Sequence, residues 1–188
     1  MKSFCKWFAA VLLATVCVPA IAATIQGMNF PKHLGSFTLN SVVNDEKDVP
    51  GQGVALLYDA LGVKASVFVY DLRLPDIQSG IDSKTVHEQF LQTIDDVKTV
   101  HPDAQNLDSD GRLSVSGIQL LHAAFQYVES SPGTRDVVFS NLYITGRDGN
   151  FVLIRTTYSA INQPQRGYRV EMSFVEDLCQ ALAASSKR

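Results

Sequence analysis

The sequence predicts an α+β domain: an antiparallel sheet of about six strands with helices packed on it, in the order β-β-β-α-β-β-β-α. Three observations carry this. Runs of β-branched and aromatic residues recur between turns containing Gly, Asp or Pro. The apolar period changes from two to about 3.6 at two places, 83–100 and 164–184. In the central runs both faces are apolar, which requires cover on both sides of the sheet.

The elements follow in chain order. "GSFTLNSVV" (35–43) alternates, with Phe37, Leu39, Ser41 and Val43 on one face, and predicts a half-buried strand. "NDEKDVPGQG" (44–53) is a polar loop. "VALLYDALGVKASVFVYD" (54–71) reads as a hairpin turning at 59–62. In its second arm Val63, Ala65, Val67 and Val69 face one way, and Phe68, Tyr70 and Leu72 the other. From 83 to 100, Val86, Phe90, Ile94 and Val97 fall at helical spacing. Ser83 suits the N-cap, Thr85 with Glu88 offers an alternative capping box, and His101-Pro102 stops the helix. "LSVSGIQLLHAAFQYVES" (113–130) predicts one long strand, or two with a bend near Gly117; "SPGTRD" (131–136) is a turn. "VVFSNLYITGRDGNFVLIRTTYSA" (137–160) is the strongest hairpin, turning at Asp148-Gly149. Tyr168, Met172, Val175, Leu178, Cys179 and Leu182 form the apolar stripe of a closing helix.

The N-terminus carries Lys2 and Lys6, an apolar run over 7–18, and the small-x-small pattern Ala20-Ile21-Ala22. This predicts a secretory signal peptide at 1–22, cleaved near Ala22-Ala23, and a single domain over 23–188. The run is too short to span a bilayer, and no later segment is apolar enough to do so. The expected compartment is the periplasm or the exterior, with no transmembrane segment after cleavage. Losing Lys2 and Lys6 takes the net charge from −3 to −5, which disfavours nucleic acid as a partner. Cys5 and Cys17 leave as well, so Cys179 has no internal partner for a disulfide.

The order of elements resembles the PsbP-like α/β/α proteins, carried by "VALLYDALGVKASVFVYD", the helix after it, "LYITGRDGNFVLIRTTY" and the closing helix. The resemblance covers most of the mature chain at the level of architecture. It implies a sheet sandwiched by helices and a non-catalytic binding or assembly role. No motif is shared, so it transfers no functional residue.

Candidate chemistry is sparse. In "NLDSDGRL" (106–113), Asn106, Asp108 and Asp110 with Gly111 follow the start of an EF-hand calcium loop. Gly117 stands where the bidentate glutamate belongs, and a strand-like run replaces the exiting helix. The residues fit a tight turn, with Gly111 at positive φ, better than a weak extracellular calcium site. His87-Glu88 begins like a zincin helix, but position 91 is Leu. His122 reads as a hydrogen-bonded core or edge histidine; His33 and His101 sit beside turns or prolines, and no histidine pair has zinc-ligand spacing. Gly51-Gln52-Gly53 begins a dinucleotide fingerprint, but Leu56 replaces its third glycine and no helix follows. Cys179 reads as a buried structural thiol; Arg155 could bind an anion, but fits better a residue that pairs with a carboxylate or covers apolar surface with its stem.

No catalytic or cofactor-binding constellation results, and no cofactor is expected. The leading reading is a non-catalytic exported module that binds a protein partner or envelope component. The alternatives are an exported hydrolase with a dispersed active site and a weak calcium-binding module.

Overall fold

A computed structural model describes residues 21–131, 134–162 and 164–185. The proposed signal segment falls outside the described residues up to position 20. Ile21 and Ala22 open strand β1 (Ile21–Ile25), which pairs with β2 (Met28–Pro31).

The chain continues through β3 (His33–Leu34), β4 (Phe37–Asn44), a 3-10 turn (Asp45–Lys47), β5 (Val54–Ala60), β6 (Val63–Tyr70) and helix α1 (Lys84–Val100). Then come β7 (Gln105–Val115), β8 (Ile118–Ser131), β9 (Thr134–Arg147), β10 (Asn150–Ser159) and helix α2 (Pro164–Ser185). Among the described residues the class is α+β, with an eight-stranded antiparallel sheet in the order β3-β4-β5-β6-β10-β9-β8-β7 beside the β1-β2 pair. The sheet therefore holds more strands than the expected six. Two additions, β3 and the first half of β7, come from segments that read as turn or loop because they are short or polar.

Two meanders, β3–β6 and β7–β10, build this sheet. They join where β6 runs antiparallel to β10, with Val67 opposite Ile154. Hairpins close where two successive residues take positive φ, as at Ser116-Gly117 and Asp148-Gly149. The bend expected near Gly117 is thus a complete turn. The connection between Ser131 and Thr134 includes residues 132 and 133, which lie outside the described residues, as does part of the turn expected there.

Alternation in β6, β8, β9 and β10 divides the core in two. On one face Met28, Phe30, Phe37, Tyr58, Val67, Val69, Val152 and Ile154 pack against Phe174, Val175, Leu178 and Leu182 of α2. Phe174 is the hinge of this packing, with ring centroids 4.6 Å from Phe37 and 5.2 Å from Tyr58. On the opposite face Tyr70, Phe125, Leu142, Phe151 and Ile77 pack against Val86, Phe90, Ile94 and Val97 of α1. Each such aromatic burial stabilises by about 1.5–3 kcal/mol. The helix α1 starts as the sequence indicates: Ser83 accepts a hydrogen bond from the Val86 amide at 3.2 Å. Glu88 does not complete a capping box and instead pairs with Lys84 at the surface.

Two expectations about faces change. A bulge between Leu39 and Ser41 breaks the alternation of β4, and both Val42 and Val43 are exposed. The α2 stripe is rotated. Tyr168 is exposed, while Gly167, Glu171 and Phe174 face the sheet. Gly167 explains the rotation, since a Cβ there would overlap the ring of Tyr158. A similar close approach holds segment 71–82 on the α1 face. Gly80 pairs with Gly146, where a Cβ would overlap the carbonyl oxygen of Gln78.

Candidate functional site

The alternation that packs the α2 face also aligns polar side chains on it. Asn141 and Tyr143 on β9, and Thr156 on β10, point at Glu171, which α2 brings down with 0% exposure. Asn141 Nδ2 donates to Glu171 Oε2 at 3.1 Å, Tyr143 donates to Oε1 at 2.9 Å, and Thr156 also donates to Oε1. Burial raises the Glu171 pKa above the usual carboxylate range, and the bonds from Thr156 and Tyr143 oppose that shift. Burial, and then the Glu171 charge, raise the Tyr143 phenol. Tyr158, which also interacts with Glu171, is pushed up to about 12 by burial.

The network reaches the sheet edge through His122. Its Nε2 lies 3.3 Å from Asn141 Oδ1, its Nδ1 lies 3.2 Å from Asp108 Oδ2, and its ring stacks on Tyr143 at 4.8 Å. His122 is therefore the hydrogen-bonded histidine expected, and it has a carboxylate partner. A general base needs one ring nitrogen free for the reacting proton. Here the protein engages both, and the second meets an amide instead of a nucleophile.

"NLDSDGRL" forms the bulged edge strand β7 and not the expected turn. Bulges between Asn106 and Asp108, and between Asp108 and Gly111, absorb its extra residues. Gly111 does not adopt positive φ. Its role is space: a Cβ would sit 2.6 Å from Asp108 Oδ2 and 2.9 Å from His122 Nδ1, so any larger residue must displace one of these side chains. The Asp108 carboxylate also accepts from the Asp110 amide at 3.3 Å. Charges and bulges on an edge strand oppose pairing with other chains. Among the described residues no group of three or more His, Cys, Asp or Glu could hold a metal.

The remaining candidates scatter. The amides of Gly51 and Gly53 do bind an anion, but it is the chain's own Glu46 Oε2, at 2.8 and 3.0 Å. Arg155 is half-buried and donates to two hydroxyls, Tyr127 OH at 2.8 Å and Ser140 Oγ at 3.3 Å. His101 stacks on Tyr127 at 3.8 Å, and burial and the Arg155 charge lower its pKa. His87 is half-buried on α1, and His33 Nδ1 lies 3.2 Å from Thr38 Oγ1. Cys179 is buried in the α2 core, and burial pushes its thiol up to about 12.

The open surfaces lie elsewhere. At one end of the sheet the β5–β6 turn and the β10–α2 connection flank a cleft of about 410 Å³ lined by Leu61, Tyr158, Ile161, Arg166 and Val170. A second cleft, of about 470 Å³, adjoins it through Gly62, Val63, Tyr158 and Asn162, and carries Asp59, Lys64, Glu129 and Asp136. Leu61 is 83% exposed and Ile161 67%. Sequence reasoning passes over both. The available signal is an apolar residue inside each of two loops where polar residues are usual. Glu171 is also missed, although its spacing of four from Gly167 and three to Phe174 sets it on the buried stripe.

The chain matches no family model and no curated protein. No helix among the described residues is long and apolar enough to cross a membrane.

Proposed function

We propose that this protein is a non-catalytic exported module that binds a protein partner of the cell envelope through the sheet-end surface around Leu61 and Ile161. One observation carries the reading. Two large aliphatic side chains, 83% and 67% exposed, stand over one cleft that continues into a second. Single exposed apolar residues are ordinary, but apolar side chains gathered on a concave, polar-rimmed surface favour association. Export rests on the character of residues 1–22. The resemblance of the hairpin and helix order to PsbP-like sandwich proteins supports a binding role, as does the helix cover on both sheet faces. A hydrolase built on His122 and Asp108 would have to release Nε2 from Asn141 and acquire a nucleophile, so the binding reading is preferred.

The test pairs two charge substitutions with a control. Tagged mature protein, Leu61→Asp/Ile161→Asp and the exposed helix variant Leu91→Asp are used to capture partners from envelope extract. The same partner should be retained by the wild type and Leu91→Asp and lost by the double variant. Retention by the double variant refutes the assignment of this surface.

A further inference from the structure

A cleft of about 360 Å³ lies between α1 and β6, away from the sheet-end surface. Its floor is apolar: Leu153 is buried, and Phe68 on β6 is only half-buried. Its rim is made of amides. Gln52 comes from the loop before β5, and Gln89 and Gln92 come from successive turns of α1. Such a mixture of apolar base and convergent polar groups is the usual composition of a small-ligand site, and the volume falls in the usual range.

The polar groups are already oriented. Gln89 Nε2 donates to Tyr70 OH at 3.0 Å, and Thr93 also hydrogen-bonds this phenol, so the hydroxyl is held within the cleft wall. Gln92 Nε2 donates to Asp96 Oδ1 at 2.9 Å, so the second Asp96 oxygen and the Gln92 carbonyl remain acceptors. Each glutamine offers both a donor and an acceptor.

Charge narrows the ligand. Among the described residues, Asp45 and Asp96 line the cleft and no Lys, Arg or His does. A phosphate, a carboxylate or a nucleotide would meet only repulsion. Asp45 and Asp96 would attract an organic cation, but no aromatic cage is there to hold it, since Tyr70 is buried and Phe68 is the one accessible aromatic of the lining; the glutamine amides of the rim match hydroxyls instead. A ligand that suits this cleft is uncharged, has one flat C–H face for Phe68, and carries hydroxyls around its edge that both donate and accept.

We propose that the cleft between α1 and β6 binds a neutral saccharide, with a sugar ring stacked on Phe68 and its hydroxyls bonded by Gln52, Gln89, Gln92 and Asp96. The site shares no residue with the sheet-end surface, so either assignment can fail without the other.

The experiment is a titration of isotope-labelled mature protein, read by amide and side-chain amide NMR shifts. The probes are glucose and N-acetylglucosamine, then maltotriose and chitotriose, at millimolar concentration, with choline as a cationic probe. Saturable shifts at Gln52, Gln89, Gln92 and Phe68 support the proposal. Equal affinity for single sugars and trisaccharides identifies a free sugar as ligand, and tighter trisaccharide binding identifies a glycan chain. Gln52→Ala and Gln92→Ala should each weaken binding roughly tenfold, as expected for a lost hydrogen bond with its unpaired partner. Phe68→Leu keeps the apolar floor and removes the flat face, and should weaken it at least as much; its folding is checked in the same spectra. No saturable shift with any of the four sugars, or shifts with choline alone, overturns the proposal.

Discussion

His122 Nδ1 and Asp108 Oδ2 meet at 3.2 Å across a gap that Gly111 keeps open. A glycine directly beside a histidine–carboxylate contact couples the shape of the edge strand to the polar network inside. Gly111→Ala should displace the exposed Asp108 side chain and cost about 1 kcal/mol, the worth of one such bond. In that background Asp108→Ala should do little more. Urea unfolding of the two single variants and the double variant checks this, and simple additivity would contradict the coupling.

Glu171 should govern part of the pH dependence of stability. Burial raises its native pKa, so the folded protein holds this proton more tightly than the unfolded chain does. The associated stability is full below the unfolded value, about 4.3, and is lost as pH rises through the higher native value. Glu171→Gln should flatten the stability–pH curve across that window. Glu171→Ala strands Tyr143, Asn141 and Thr156 and should cost about 3 kcal/mol or more at any pH. Parallel curves for wild type and Glu171→Gln would show that the carboxyl does not titrate there.

The seat of α2 on β10 depends on Gly167. An alanine Cβ would overlap the Tyr158 ring, so Gly167→Ala should lower stability by about 1–3 kcal/mol. Adding Tyr158→Leu should recover part of that loss. Calorimetric melting of both variants decides, and an unchanged Tm for Gly167→Ala would mean that the two elements are not in close contact.

Cys179 should resist alkylation while the protein is folded. Its thiol is buried, and burial pushes its pKa up to about 12. Reactive cysteines need exposure and a lowered pKa. Iodoacetamide labelling at neutral pH, read by peptide mass spectrometry, should modify Cys179 only after urea is added. Fast labelling of native protein would reveal an opening of α2.

The elements that can be read from sequence are those decided locally. Asp148-Gly149 sets its hairpin because that pair tolerates positive φ at both positions, and Val86, Phe90, Ile94 and Val97 mark α1 by spacing alone. The misreadings share a different origin. Gly111 resembles a turn glycine because it follows acidic residues, yet its role depends on His122 from the neighbouring strand. Tyr168 resembles a core residue by hydropathy, but the register of α2 is set by the Tyr158 ring against Gly167. Glu171 has no local signal of burial, since its partners come from β9 and β10. The sheet-end surface is assembled from two connections distant in sequence, and so is invisible in either of them.

The pairing of β6 with β10 has a kinetic consequence. Each meander needs only short loops to close, whereas their junction must bring together segments separated by α1, β7, β8 and β9. Loop-closure entropy makes that step the slow one. Truncations across the junction, Val67→Ala and Ile154→Val, should therefore slow refolding. Changes inside a meander, such as Leu120→Ala, should mainly quicken unfolding. Chevron plots of the three variants separate these limbs, and a refolding rate indifferent to Val67 and Ile154 would place the barrier before the junction forms.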